Sequence, residues 1–94
     1  VASAGDLTLG SAGNSFSITG TTTINAITTT SWQAGSIIIL IFASTPTVKH
    51  NTAGGASTAK MLLNGGVDFS ATANDVLTLI YDGTNWLECS RSIN

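Results

Sequence analysis

Hydrophobic and polar residues alternate over short stretches of this chain, and turn residues separate the stretches at intervals of about 8–12 positions. Alternation with a period of two predicts β-strands, and no stretch shows the spacing of an amphipathic helix. The predicted strands are Asp6–Leu9, Phe16–Thr19, Thr21–Ile27, Ile37–Phe42, Thr47–His50, Lys60–Leu63, Val76–Tyr81 and Trp86–Arg91. We therefore expect one all-β domain over residues 1–94, built from short antiparallel strands and hairpins in a sandwich- or prism-like unit.

The strongest predicted strand is apolar on both of its faces. Its alternation places Ile37, Ile39 and Ile41 on one side, and Ile38, Leu40 and Phe42 on the other. A strand with two apolar faces has to be covered on both. If one face stayed exposed, this uncharged β-branched segment would be prone to aggregate. The pattern predicts that one face belongs to the chain's own core and the other to a neighbouring copy.

The closing hairpin has the same character. Pairing Tyr81 with Trp86 around the turn Asp82–Asn85 divides its residues between two largely apolar faces. One face carries Leu77, Leu79, Tyr81, Trp86 and Glu88, and the other carries Val76, Thr78, Ile80, Leu87, Cys89 and Arg91. The spacing of three predicts that Glu88 and Arg91 point to opposite sides of the sheet. Each would then need a partner elsewhere, which in an oligomer can be another chain.

Composition strengthens the prediction of an oligomer. Only 9% of the 94 residues are charged, against about 25% in average soluble domains. Threonine and serine supply 15 and 11 residues, so the exposed polar surface is rich in hydroxyl groups. A chain of this length buries only about 60–65% of its unfolded surface. We expect its core, which we predict also includes Ile24 and Ile27, to be completed by other copies.

Charge and hydropathy also exclude several classes of protein. Three Lys and Arg residues cannot form the basic patch of a nucleic-acid-binding protein. The longest apolar run, Ile37–Ala43, is far shorter than the roughly 20 residues of a membrane-spanning helix, so we expect no membrane insertion. Because the chain does not begin with Met, we expect it to be an excised fragment of a longer protein.

Candidate chemistry is sparse. His50 is the one histidine, and no nucleophile motif accompanies it, so we interpret it as capping a turn or packing at a subunit contact. The five carboxylates are scattered, which disfavours a metal site. The loop Asn51–Ala59 is glycine-rich and precedes Lys60, but it lacks the spacing of a phosphate-binding loop. Cys89 is predicted to be a small buried residue. We expect no enzyme activity, no cofactor and no metal.

An alternative function rests on the aromatic residues. Trp32 lies in a predicted turn before the central strand, where an exposed ring could stack on a sugar. With the loop Asn51–Ala59 it would form a carbohydrate-binding site, whose ligand would be a polysaccharide. Tyr81 and Trp86 flank one turn, and packing between the two strands is the interpretation we favour for them.

Several segments of the chain resemble a known family. They are Leu7–Leu9, Gly13–Phe16, Ile18–Ile24, Trp32–Gly35, Thr47–Asn51, Lys60–Phe69 and Asn74–Arg91. Together they look like the small β-structured domain found towards the C-terminus of bacteriophage tailspike and tail-fibre proteins. The most specific part is the segment from Leu77 to Arg91, with its Tyr-Asp-Gly-Thr-Asn-Trp turn.

The resemblance implies a homotrimeric structural domain of the virion tail without catalysis of its own. Such domains trimerise and cap a tail fibre or tailspike, and some contact the host surface during attachment. The residues expected to pack in the core or the trimer are Ile37, Ile38, Ile39, Leu40, Ile41, Phe42, Leu77, Leu79, Tyr81 and Trp86. The candidate for receptor contact, with a host-cell surface polysaccharide as the ligand, is Trp32.

Overall fold

A computed structural model describes residues 1–94 and contains nine short strands. They are β1 (Asp6–Leu7), β2 (Ser15–Ile18), β3 (Ala26–Thr28), β4 (Ile37–Phe42), β5 (Thr47–Val48), β6 (Thr58–Leu62), β7 (Phe69–Ser70), β8 (Val76–Tyr81) and β9 (Trp86–Ser92). One short 3₁₀ turn, Asn64–Gly66, follows β6, and there is no α-helix. The prediction of an all-β chain is confirmed.

Seven strands form one curled mixed sheet, in the order β1-β3-β6-β9-β8-β4-β2. The pairs β1–β3, β2–β4 and β6–β9 are parallel, and the pairs β3–β6, β4–β8 and β8–β9 are antiparallel. The N-terminal segment pairs with the far edge, because Ala2 bridges to Thr19 directly after β2. The expected antiparallel pairing is present in half of the strand pairs of this sheet, and the other half run parallel.

A second, two-stranded sheet joins β5 to β7. An isolated parallel bridge between Ile24 and Val48 links it to the segment that leads into β3. The sequence pattern predicted a strand over Thr21–Ile27, but only its end lies in β3. Ile24 instead exchanges backbone hydrogen bonds with Thr47 and Lys49 on either side of Val48. Strand β7 was not predicted, because two residues are too few to show alternation.

The strongest sequence patterns gave the most accurate boundaries. Strands β4 and β8 begin and end where their alternation predicts, and Tyr81 pairs with Trp86 as expected. In the turn between β8 and β9, the Asp82 carboxylate accepts hydrogen bonds from the amides of Thr84 and Asn85. Gly83 in this turn has a φ of 97°, a backbone angle that residues with a Cβ rarely adopt.

The core fills the inside of the curled sheet. Seventeen buried hydrophobic residues form one cluster, and alternate positions of the long strands supply most of its large side chains. These include Ile38, Leu40 and Phe42 from β4, Leu77 and Leu79 from β8, Met61 from β6 and Trp86 from β9. Trp86 is fully buried, and its indole N–H donates to the carbonyl of Ile27 at 3.3 Å. The predicted core residues Ile24 and Ile27 are also fully buried.

One carboxylate is buried at the rim of this core. Asp75, with only 1% of its surface exposed, precedes β8. It accepts hydrogen bonds from the Thr72 hydroxyl at 2.7 Å, from the Thr72 amide at 2.8 Å and from the Asn94 amide at 3.0 Å. The Thr72 hydroxyl and the Asn94 amide lower the pKa of Asp75, because they bind the ionised form. The ionised carboxylate therefore fastens the last described residue to the sheet.

We expect replacement of Asp75 with asparagine to weaken the acid dependence of stability. A carboxyl whose pKa is lower in the folded chain adds stability above its unfolded-state pKa of about 3.9. That stability is lost as the pH falls through the lower folded-state value. The thermal unfolding midpoint should therefore decrease less steeply in Asp75→Asn than in the wild type as the pH is lowered from neutral to acid.

Asp68→Asn is the matched control for this measurement. The Asp68 side chain is 42% exposed, and it binds the His50 amide and the Lys49 ammonium group. These contacts also lower the pKa of Asp68, but solvent screens an exposed pair. We expect a smaller change than in Asp75→Asn. An unchanged acid dependence in Asp75→Asn would contradict the assigned role of its carboxylate.

Candidate functional site

The outward side of strands β4 and β8 is apolar. Ile37 and Ile41 are 45% and 40% exposed, and Ile39 between them is half-buried. The register places Ile37 opposite Ile80 and Ile41 opposite Val76. Residues directly opposite each other on neighbouring strands share one face of a sheet. These five aliphatic side chains therefore form one continuous surface.

The same surface continues across two further strands. Ile80 lies opposite Leu87 on β9, and Leu87 lies opposite Leu62 on β6. We call the seven residues the outer apolar face; they are Ile37, Ile39, Ile41, Leu62, Val76, Ile80 and Leu87. The small polar residues that the register places beside them are Ser15, Ser17, Thr78, Ser90 and Ser92. The exposed Lys60, two residues before Leu62 on the same side of β6, is a charged residue at the edge of this face. The part of the face on β4 and β8 can therefore be buried against an apolar partner without covering a charge.

The structure divides the predicted packing residues between two environments. Ile38, Leu40, Phe42, Leu77, Leu79 and Trp86 are buried in the chain's own core. Ile37, Ile39 and Ile41 lie on the outer apolar face. Tyr81 is half-buried against Trp86, with ring centroids 5.0 Å apart, and its hydroxyl donates to the carbonyl of Gly83. In the single chain, one face of β4 lies in the core and the other is partly exposed; cover of the second face by a neighbouring copy stays a prediction.

Trp32 belongs to an aromatic cluster on the core. Its ring is half-buried and meets Phe16 and Trp86 edge to face, at centroid distances of 6.1 and 6.2 Å. Its indole nitrogen is shielded from solvent and has no hydrogen-bond partner. Edge-to-face packing of this kind stabilises aromatic cores. Trp32 therefore packs against the core. The amide of Thr29 donates a hydrogen bond to the carbonyl of Ser57, which joins the segment before Trp32 to the glycine-rich loop.

A β-bulge in β9 changes the side on which its last residues lie. Leu79 pairs with Glu88, but the neighbouring Thr78 pairs with Ser90, so Cys89 is the extra residue. After the bulge, Arg91 returns to the face that carries Glu88. The two side chains form a double hydrogen bond of 2.8 Å for each contact. The prediction that they face opposite sides and pair elsewhere was wrong, because the sequence does not reveal the bulge.

The ion pair is partly buried and further anchored. The side chain of Glu88 is 4% exposed, and the guanidinium carbon of Arg91 lies 4.2 Å from the centroid of the Phe69 ring. The guanidinium lowers the pKa of Glu88, and the carboxylate raises the pKa of Arg91. Cys89 is exposed rather than buried as predicted, because the bulge turns it away from the core. The two charges satisfy each other within one chain.

A surface groove opens beside this ion pair, where β6 ends and separates from β9. Its lining comprises Leu62, Leu63, Asn64, Leu87, Glu88, Cys89, Ser90 and Arg91. The amide of Asn64 donates to Glu88 Oε1 at 2.8 Å, which holds the 3₁₀ turn against β9. Behind it, His50 Nδ1 accepts a hydrogen bond from the amide of Leu63 at 3.0 Å. His50 therefore fixes the end of β6, which agrees with its interpretation as a cap.

Comparison with family models, curated proteins and solved structures gave no match. No group of three or more His, Cys, Asp and Glu side chains is placed to hold a metal ion. None of the chain forms a helix with the length and apolar character needed to cross a membrane. The outer apolar face, which brings seven aliphatic side chains together, is therefore the candidate functional surface.

Sequence reasoning missed part of this face. Val76, Ile80 and Leu87 were placed together on one face of the hairpin, but they were not among the residues expected to pack in the core or the trimer. Leu62 gave no signal, because its role depends on the parallel pairing of β6 with β9. The sequence contains a signal for Val76, Ile80 and Leu87. The alternation in β8 and the pairing of Tyr81 with Trp86 place these three residues on one side of the hairpin, and that side adjoins the outward face of β4.

Proposed function

We propose that this chain is a non-catalytic structural domain that associates with two identical copies through the outer apolar face. The observation that supports this proposal is the continuity of seven aliphatic side chains over four adjacent strands, with no charge among them. Contiguous apolar patches larger than a few hundred Å² are rare on monomers and mark interaction surfaces. Burying such a surface contributes about 25 cal/mol per Å².

The trimeric state and the biological setting come from the sequence resemblance. Within the proposal, the domain trimerises and caps a bacteriophage tail fibre or tailspike and is part of the virion. Its low charge supports this setting, because a surface used for assembly carries few groups that must stay hydrated.

Ile41→Asp should convert the proposed trimer into monomers. A carboxylate at this position would have to lose its hydration in the interface, whereas the monomer leaves the side chain 40% exposed. Sedimentation equilibrium or light scattering over a range of concentrations measures the mass directly. The wild type should have the mass of three chains and a thermal midpoint that rises with protein concentration.

Val67→Asp is the matched control. Val67 is 61% exposed, more than Ile41, but it follows the 3₁₀ turn and is not part of the outer apolar face. The same new charge should leave the trimer intact there. A wild type that stays monomeric at micromolar concentration would overturn self-association, and a stable dimer would overturn the trimer. Equal dissociation by both substitutions would show that the outer apolar face is not the interface.

A further inference from the structure

The 3₁₀ turn after β6 contains the chain's one Asn-Gly step. The sequence has seven asparagines, and Asn64 alone is followed by glycine. Asn64, Gly65 and Gly66 are all exposed. A Cβ on Gly65 would meet nothing closer than Val67 Cγ2 at 3.9 Å. The side-chain position of Gly65 is therefore open, and no packed neighbour crowds the Asn-Gly step there.

This arrangement suits an intramolecular reaction of asparagine. The deprotonated amide nitrogen of Gly65 attacks Cγ of Asn64, a C–N bond forms, and the side-chain nitrogen leaves as ammonia. Water then opens the resulting five-membered succinimide at either carbonyl, which yields aspartate or isoaspartate at position 64. No oxidant, enzyme or cofactor is needed. Glycine favours the step because it has no Cβ to hinder the attacking nitrogen.

The folded structure opposes the reaction at the same place. Ring closure requires the peptide between Asn64 and Gly65 to rotate out of the turn. Two hydrogen bonds hold that turn, one from the Gly66 amide to the Leu63 carbonyl at 3.1 Å and one from the Asn64 amide to Glu88 Oε1 at 2.8 Å. The reaction therefore requires the turn to open locally.

We propose that Asn64 is a site of spontaneous deamidation, and that Glu88 restrains the reaction by holding the amide of Asn64. The aspartate or isoaspartate formed at position 64 then favours further opening of the turn. Deamidation puts a negative charge on the residue whose amide binds the Glu88 carboxylate, and repulsion between two carboxylates weakens the contact that kept the turn closed. An isoaspartate product also adds a methylene to the main chain, which the turn cannot accommodate without moving. Deamidation therefore weakens the contact between the 3₁₀ turn and Glu88 at the wall of the groove, and the reaction is irreversible.

Peptide mapping by mass spectrometry tests the proposal on the full chain during incubation at mildly alkaline pH. Trypsin cleaves after Lys60 and Arg91, so one peptide, residues 61–91, contains Asn64, Asn74 and Asn85. These last two serve as internal references, because aspartate and tryptophan follow them. Replacement of an amide by an acid should appear at Asn64 first. Earlier modification of Asn74 or Asn85 would overturn the site.

Three variants test the restraint by Glu88. Glu88→Ala should speed the loss of the Asn64 amide about fivefold, equivalent to about 1 kcal/mol at 25 °C, which is the usual worth of one hydrogen bond. Glu88→Gln keeps an acceptor and should react at the wild-type rate. Arg91→Ala keeps the Glu88 carboxylate, so Asn64 should deamidate in this variant at close to the wild-type rate. Equal rates in all four proteins, or equal acceleration in Arg91→Ala and Glu88→Ala, would overturn the role of Glu88.

Circular dichroism of each variant establishes that it is folded before its rate is compared. If Glu88→Ala fails to fold, the order of modification in the wild type still decides the site. The comparison of Glu88→Gln with Arg91→Ala then decides the restraint: a faster reaction in Arg91→Ala alone would show that the ion pair, rather than the Asn64 contact, protects the turn. None of these outcomes depends on the oligomeric state proposed above.

Discussion

Replacement of Trp86 with alanine is expected to lower the free energy of unfolding by about 3–5 kcal/mol. Trp86 is the largest fully buried side chain. It packs against Tyr81 and Trp32, at centroid distances of 5.0 and 6.2 Å. The substitution also leaves the carbonyl of Ile27 without its indole donor. Domains of this size are stable by only about 5–15 kcal/mol, so the variant should be close to unfolded at ambient temperature.

Equilibrium urea denaturation, followed by far-ultraviolet circular dichroism, measures this loss. Thr84→Ala is the matched control in the turn that leads into β9, because Thr84 is exposed and surface substitutions usually change stability by less than about 0.5 kcal/mol. Trp86→Phe should fall between the two, since it keeps an aromatic ring but loses the hydrogen bond. A loss below about 1 kcal/mol in Trp86→Ala would mean that the indole is not the centre of the core.

The second large effect is expected at an exposed glycine. Gly54→Ala should destabilise the fold by about 1–3 kcal/mol, the usual cost of forcing extra atoms into filled space. A Cβ at Gly54 would overlap the carboxylate of Asp6, and it would lie 2.7 Å from the Cβ of Ala26 and 2.9 Å from Oγ1 of Thr58. The Ala26 methyl group is attached directly to the backbone of β3, so it cannot move aside as a flexible side chain would.

Two other glycines provide the control. A Cβ at Gly10 or Gly13 would meet no atom within 4 Å. Alanine at these positions should be neutral or slightly stabilising, because it restricts the unfolded chain. Thermal unfolding of the three variants separates the two cases. Equal midpoints for Gly54→Ala and Gly10→Ala would contradict the close approach of the glycine-rich loop to β1 and β3.

The accuracy of the sequence predictions followed the range of the interactions involved. Alternation within six residues defines β4 and β8, and the turn Asp82–Asn85 sets the pairing of Tyr81 with Trp86. These features depend on neighbours along the chain. The parallel pairing of β6 with β9 depends on residues about a quarter of the chain apart, and no local pattern indicates it. The mixed order of the sheet was unpredictable for this reason.

The candidate site shows the same division. The outward Ile37, Ile39 and Ile41 were recognisable, because one side of an apolar strand has to face away from the core. The Glu88–Arg91 pair was not, since a single extra residue at Cys89 reverses the direction of everything after it. The close packing at Gly54 was equally hidden. That loop is glycine-rich, but its sequence does not show which glycine touches another strand.

The place of β9 within the sheet determines when the fold can exist. The strand comes last along the described chain, yet it lies between β6 and β8 and joins β1, β3 and β6 to β8, β4 and β2. During translation, both groups of strands emerge before the strand that connects them. Until residues 86–92 are made, β6 and β8 each present an unpaired edge, and such edges invite pairing with other chains. A nascent chain that has exposed only the residues up to about 85 therefore holds two incomplete half-sheets, and they cannot be joined until residues 86–92 have also emerged.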